Sequence, residues 1–96
     1  MKLEFEWDPA KARENRVKHG GVTFEFAKRA FKDPFAIELV DDREDYDEER
    51  LILIAMIDGD IYVVVHTERG EGRIRIISAR KAEKHEADFY FQENDR

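Results

Sequence analysis

Arg73 and Arg75 stand two residues apart in the alternating stretch Arg73-Ile74-Arg75-Ile76. A strand sends residues two apart to the same face, so both guanidinium groups share one side. Ile74 and Ile76 then point the other way, into a core under helices. Arg69 precedes the pair at a hairpin end, and Arg80 and Lys81 follow where the strand is expected to pass into a helix. Guanidinium groups lining a concave sheet face grip phosphates bidentately and stabilise the charge that grows on a pentavalent phosphorane. That chemistry suits internal cleavage of RNA without a metal ion: the 2′-OH attacks the adjacent phosphate while a base takes one proton and an acid gives one. Glu49, His19 and His66 are the candidate bases, and a histidine or Tyr90 the candidate acid.

Other chemistries fit less well. His19, His66 and His85 show no HxxxH or HxH spacing, and the acidic run lacks the glycine and ordered donors of a calcium loop, so no metal site is expected. The absence of cysteine excludes a thiol nucleophile, a thiolate metal site and a disulfide framework. Ser78 has no nucleophile-elbow glycines and reads as a helix cap. No glycine loop is built to cradle phosphates. Each candidate also has a plain structural role to weigh against the chemical one. Arg73 and Arg75 fit the outward positions of any half-buried strand, and His66, inside an apolar run, fits a core histidine. His19 ahead of Gly20 can bond the last carbonyls of a helix. Trp7 fits a core anchor, and Glu49-Arg50 a local ion pair.

The elements that must position these groups come from 96 residues, expected to form one α+β domain over residues 1–96. Apolar and charged residues each make up 42% of the chain, which suits a thin core under a charged surface. No apolar run reaches the length of a membrane span and no signal-peptide core is visible, so the expectation is a soluble, cytoplasmic protein. The net charge of −6 is unevenly spread. Asp41 to Arg50 carries seven acids against Arg43 and Arg50; Lys11 to Lys32 carries seven bases against Glu14 and Glu25; and from His66 to Lys84 six bases face three acids. An acidic loop between basic segments leaves room for one positive face on an acidic protein, although solvated charge runs are the commoner outcome.

Along the chain, Leu3, Phe5 and Trp7 alternate like a strand, and Asp8-Pro9 opens a helix that stops at Gly20-Gly21. Thr23 caps a second helix carrying Phe24, Ala27 and Phe31, ended by Asp33-Pro34. Phe35 to Val40 reads as a short strand. Leu51 to Ile57, apolar throughout, reads as a central strand. Asp58-Gly59 signals a tight hairpin into Ile61–Thr67, and Glu68 to Gly72 turns the chain into the arginine strand. A last helix is expected from about Arg80, with Ala82, Phe89 and Tyr90 as its apolar contacts. The order is strand, two helices, an antiparallel meander of about four strands, and a C-terminal helix.

Phe5-Glu6-Trp7-Asp8-Pro9 with Asn15, then Lys18-His19-Gly20 and Val22-Thr23-Phe24, resemble the opening of BrnT toxins. Glu48-Glu49-Arg50 ahead of a strand, and Ile74 to Ala82 with Glu86 and Tyr90, resemble the second half of that family. The likeness covers nearly the whole chain in the family's order. It implies a RelE-like fold and a ribonuclease toxin that reduces translation. It also implies a BrnA-like ribbon-helix-helix antitoxin, a complex of two toxins and two antitoxins, and contact with operator DNA through the antitoxin. Trp7, Lys18, His19, Glu49, Arg50, Arg75, Arg80 and Lys81 stand where the family's motifs stand.

Resemblance and residue chemistry together give an expected site. Arg75, Arg80, Glu49 and His19 are the expected catalytic set; Arg50, Arg69, Arg73, Lys81, Lys18 and Trp7 are expected to hold RNA, with no cofactor. Two features depart from the family: Ala55 stands where a glycine is expected, and the chain is acidic. The alternative function is a weak or inactive subunit of a DNA-binding toxin–antitoxin repressor.

Overall fold

A computed structural model describes residues 2–95. The elements run β1 (Glu4–Glu6), α1 (Pro9–Lys18), α2 (Phe24–Ala27) continued by a 3₁₀ turn (Lys28–Lys32), β2 (Ile37–Asp41), β3 (Arg50–Ile57), β4 (Asp60–Glu68), β5 (Arg73–Lys81) and α3 (Lys84–Asn94). One five-stranded sheet has the order β1-β5-β4-β3-β2. The four-stranded antiparallel meander is therefore present, and β1 adds to its end as a parallel neighbour of β5. The mixed α+β class is as expected; the parallel edge strand is an addition.

Local chemistry sets the boundaries. Asp8 Oδ1 accepts from Ala10 N at 2.8 Å with Pro9 in the first turn of α1. The helix closes with Gly21 N donating to Arg16 O at 2.8 Å across Gly20, whose φ of 62° suits a residue without Cβ. Thr23 Oγ1 caps α2 through Phe26 N at 3.0 Å. Asp58 and Gly59 take φ of 51° and 87° in the two-residue turn between β3 and β4, the primed geometry that matches strand twist.

One expected boundary moves. The last helix begins at Lys84, because β5 continues to Lys81 in register with Tyr62 of β4. Ser78 consequently lies inside β5. The cap is Glu83, which with Glu86 forms a reciprocal capping box.

The sheet has two differently covered faces. Phe24, Ala27 and Ala30 pack on one, against Leu53, Ala55, Val64, Ile74, Ile76 and Ala79. The sequence pair Ile74 and Ile76 thus enters the core as expected. Ala55 is fully buried there in an unbroken β3–β4 register, so its methyl group fills core rather than interrupting the strand. On the other face α3 lays Tyr90 against Ile54, Ile61 and Val63. That helix covers only part of the face, and the arginines lie beyond it.

Candidate active site

A bulge in β5 decides which arginines meet. Ile76 sits opposite His66, yet Ser78 sits opposite Val65, so Ile77 is an extra residue with no partner on β4. Strict alternation would send Arg73 and Arg75 to one face and Arg80 to the other. The extra residue reverses the parity, and Arg80 joins Arg73 and Arg75 on the face that α3 leaves partly open. No local residue pattern announces this bulge; it arises in the pairing with β4.

Carboxylates hold the three guanidinium groups. Arg75 donates to Glu6 at 2.9 Å, and Arg73 approaches the same carboxylate at 3.8 Å. One carboxylate between two guanidiniums leaves net positive charge. Arg80 makes a bidentate pair with Glu86, both contacts 2.7 Å. The pair pulls Glu86 below the usual carboxylate range and keeps Arg80 firmly charged. Since Glu86 also accepts from Glu83 N at 2.8 Å, Arg80 is anchored to the first turn of α3.

α1 brings its C-terminal end to the same place. Asn15 is buried, donating to Ala79 O at 2.7 Å and accepting from Ala79 N at 3.0 Å. One helical turn later come Lys18, the last residue of α1, and His19, its cap, which feels the charge of Arg80. Partial burial, then the positive charges of Lys18 and Arg80, hold His19 below its ordinary pKa. An imidazole whose pKa is lowered is neutral around neutral pH and is chemically a proton acceptor.

β3 adds Arg50, paired with Asp41 across the sheet and stacked on Tyr46 with its guanidinium carbon 4.1 Å from the ring centroid. Part of the charge of the acidic loop is taken up by ion pairs. Asp41 is buried and bonds Arg43 bidentately at 2.8 and 2.7 Å, and Glu48 bonds Arg69 at 3.2 Å. The positive charge of Arg43 in turn reaches Arg80. Sequence reasoning missed Arg43, because it counted the residue inside a run of acids.

Other expected residues lie elsewhere. Glu49 is exposed and lines a cleft with Glu48, Leu51, Thr67, Glu68 and Arg69 at the strand ends; its carbonyl accepts from Thr67 at 2.7 Å. Arg69 is part of that end of the sheet rather than of the face. Lys81, one residue past Arg80, takes the opposite side and lies 3.6 Å from Asp60. Trp7 packs edge to face on Phe24 at 5.9 Å, beside the helix-covered core.

His66 is a core histidine, 1% exposed, edge-on to Phe31 and with Nδ1 3.3 Å from Val64 O. The Tyr90 hydroxyl donates to Asp33 at 2.7 Å, and burial followed by that bond pushes its pKa up to about 12. Neither group faces the arginines. Among the described residues no three His, Cys, Asp or Glu side chains gather as metal ligands.

The family model for the ribonuclease toxin BrnT of type II toxin–antitoxin systems matches residues 7–86. The chain belongs to the BrnT family. It is a ribonuclease toxin of a type II toxin–antitoxin system, a class in which each toxin has an antitoxin partner. The fold is similar to the crystal structure of the Brucella abortus ribonuclease toxin BrnT, with 25% identity and a TM-score of 0.56. That similarity covers 86% of this chain and 100% of the Brucella one. No curated protein matches in sequence. The match to the family begins just after β1 and spans both early helices, the arginine strand and Glu86. No helix among the described residues is long and apolar enough to cross a membrane.

Proposed function

We propose that the BrnT-family ribonuclease activity resides on the face bearing Arg75 and Arg80, with His19 at its edge, and needs no metal ion. The observation that carries this reading is the Ile77 bulge, which sets Arg80 on the same face as Arg75, and the charge of Arg80 in turn helps lower the pKa of His19 at the end of α1. His19 accepts the proton of the RNA 2′-OH as that oxygen bonds to phosphorus. Arg75 and Arg80 balance the charge of the phosphorane. The bond to the 5′-oxygen then breaks, the leaving oxygen takes a proton from water, the hydroxide so formed takes up the proton held by His19, and a 2′,3′-cyclic phosphate and a 5′-hydroxyl remain. Arg73, Arg50 and Lys18 hold neighbouring phosphates; Glu49, Arg69, Lys81 and Trp7 stand outside this set.

The test is cleavage of a defined RNA by the purified chain with and without EDTA. Cleavage that survives EDTA, and falls by about 10²-fold or more in Arg80→Ala, supports the reading. Full dependence on an added divalent ion, or full activity in both Arg75→Ala and Arg80→Ala, overturns it. Induction of the chain alone in bacteria supplies the cellular counterpart: arrested growth with wild type and restored growth with Arg80→Ala.

The antitoxin is proposed to be BrnA-like, with a ribbon-helix-helix part that contacts operator DNA in a complex of two toxins and two antitoxins. The family resemblance supports this, and the arginine face is its natural target, since covering it would exclude RNA. Co-expression with an adjacent ribbon-helix-helix reading frame, followed by measurement of complex mass and operator binding, tests each element. The proposed site of action is the cytoplasm, where translation takes place.

A further inference from the structure

Building on the cleavage reading above, we infer that Asn15 is a positioning residue, whose side-chain amide fixes the end of α1 to Ala79 and so sets His19 beside Arg80. β1 pairs with β5 only from Arg73 to Arg75. Beyond that point the outer edge of β5 has no strand neighbour among the described residues, and the amide and carbonyl of Ala79 need other partners. Asn15 supplies both: Oδ1 accepts from Ala79 N at 3.0 Å and Nδ2 donates to Ala79 O at 2.7 Å, as a strand's own backbone would. The second Nδ2 hydrogen goes to Val22 O at 3.1 Å. One side chain therefore clasps the segments on both sides of His19 to the residue directly before Arg80.

This attachment matters because α1 has little else. Asn15 is its one buried residue, and the helix presents exposed Val17 rather than an apolar stripe to hold it down. Its backbone continues the linkage, with His19 N donating to Asn15 O at 2.8 Å. Loss of the clasp leaves the last turn of α1 free to drift from β5. A displacement of about 1 Å at a reacting group costs on the order of 10²-fold in rate.

The experiment follows the His19 ring by NMR titration in wild type, Asn15→Ala, Arg80→Ala and the double variant, alongside RNA cleavage. In wild type His19 should titrate below the ordinary histidine value of about 6.5. Each single variant should raise it, and the double variant should rise no further than the larger single, because both weaken the same influence of Arg80 on His19. In a folded Asn15→Ala, kcat should fall by about tenfold or more with KM changed less than about threefold.

Two results overturn the inference. One is a folded Asn15→Ala with wild-type titration and wild-type kcat; the other is Arg80→Ala leaving the His19 titration unmoved. The second needs no change at Asn15, so it decides the question even if Asn15→Ala unfolds the chain. Absence of cleavage in wild type would sink the active-site reading, while the titrations still decide the role of Asn15.

Discussion

The two halves of the sheet face that carries α3 solve different problems. Under the helix, Ile54, Ile61, Val63 and Tyr90 exclude water and stabilise by burial. Beyond it, Arg73, Arg75 and Arg80 are held by carboxylates and stay partly exposed, with 56, 33 and 30% of their side chains accessible. Packed side chains give cohesion, and clasped guanidiniums give direction. The Arg80–Glu86 pair is the seam, because Glu86 belongs to the first turn of the covering helix and Arg80 to the open half.

Breaking that seam should produce the largest effect. Arg80→Ala is expected to lower RNA cleavage by about 10²–10³-fold while the chain stays folded, because a fixed donor aimed at developing charge is lost. Arg80→Lys should recover little, since a lysine cannot reproduce the bidentate fork. Cleavage kinetics with circular dichroism check both. Near-wild-type rates in Arg80→Ala would move the chemistry off this half.

The covered half should respond in the opposite currency. Ile61→Ala removes buried volume next to Tyr90 and is expected to cost about 2–4 kcal/mol of stability by urea unfolding, with cleavage by the folded fraction unchanged. Tyr90→Phe is milder. It removes one of three bonds to Asp33, whose carboxylate keeps those from Met56 N at 2.8 Å and Phe35 N at 2.9 Å. A loss of about 1 kcal/mol and unchanged cleavage are expected. A collapse of cleavage in Tyr90→Phe would restore this tyrosine as an acid.

Much of the scaffold was legible because its signals are local. Asp8-Pro9, Thr23 and Asp58-Gly59 act within a few residues, and alternation alone put Ile74 and Ile76 in the core. What stayed hidden depends on contacts distant in sequence. Arg80-Lys81-Ala82-Glu83 has a helix former's composition, yet pairing with β4 keeps β5 extended through Lys81. Arg80 shares a face with Arg75 only through the Ile77 bulge, and Asn15 gains meaning only from Ala79, 64 residues away. Glu49 adjoins Arg50 in sequence, but a strand start separates neighbours onto different sides. The same blindness to partners made Arg43 look like a minor cation among acids, when it is the bidentate partner of buried Asp41.

The two histidines sharpen the contrast through pH. Burial lowers the pKa of both His66 and His19, the latter aided by Lys18 and Arg80. The folded chain therefore resists protonation that the unfolded chain accepts near pH 6.5. Each histidine's contribution to stability is complete above that pH and declines as pH falls toward its lower folded value. The slope is at most about 1.4 kcal/mol per pH unit for one proton. His66→Phe should flatten the urea-unfolding stability between neutral and mildly acidic pH without altering the acid limb of cleavage. His19→Ala should abolish that limb. An unchanged stability slope in His66→Phe would show that the buried imidazole accepts its proton in the folded state.

The smallest effect should separate the two arginines that share Glu6. Arg73 is the more exposed and lies 3.8 Å from the carboxylate, whereas Arg75 lies at 2.9 Å and pairs with Thr67 across the sheet. Removing Arg73 leaves the Arg75–Glu6 contact intact, and an exposed ion pair contributes less than about 1 kcal/mol. Arg73→Ala should therefore weaken RNA binding by less than about fivefold and make it less salt-dependent, as expected of a group that only neutralises a phosphate. Cleavage of bound RNA should keep its rate. Arg75→Ala should lower that rate and free Glu6 to repel the substrate. Equal losses of single-turnover rate in the two variants would show that the face acts as a diffuse field, rather than through the clasped pair Arg75 and Arg80.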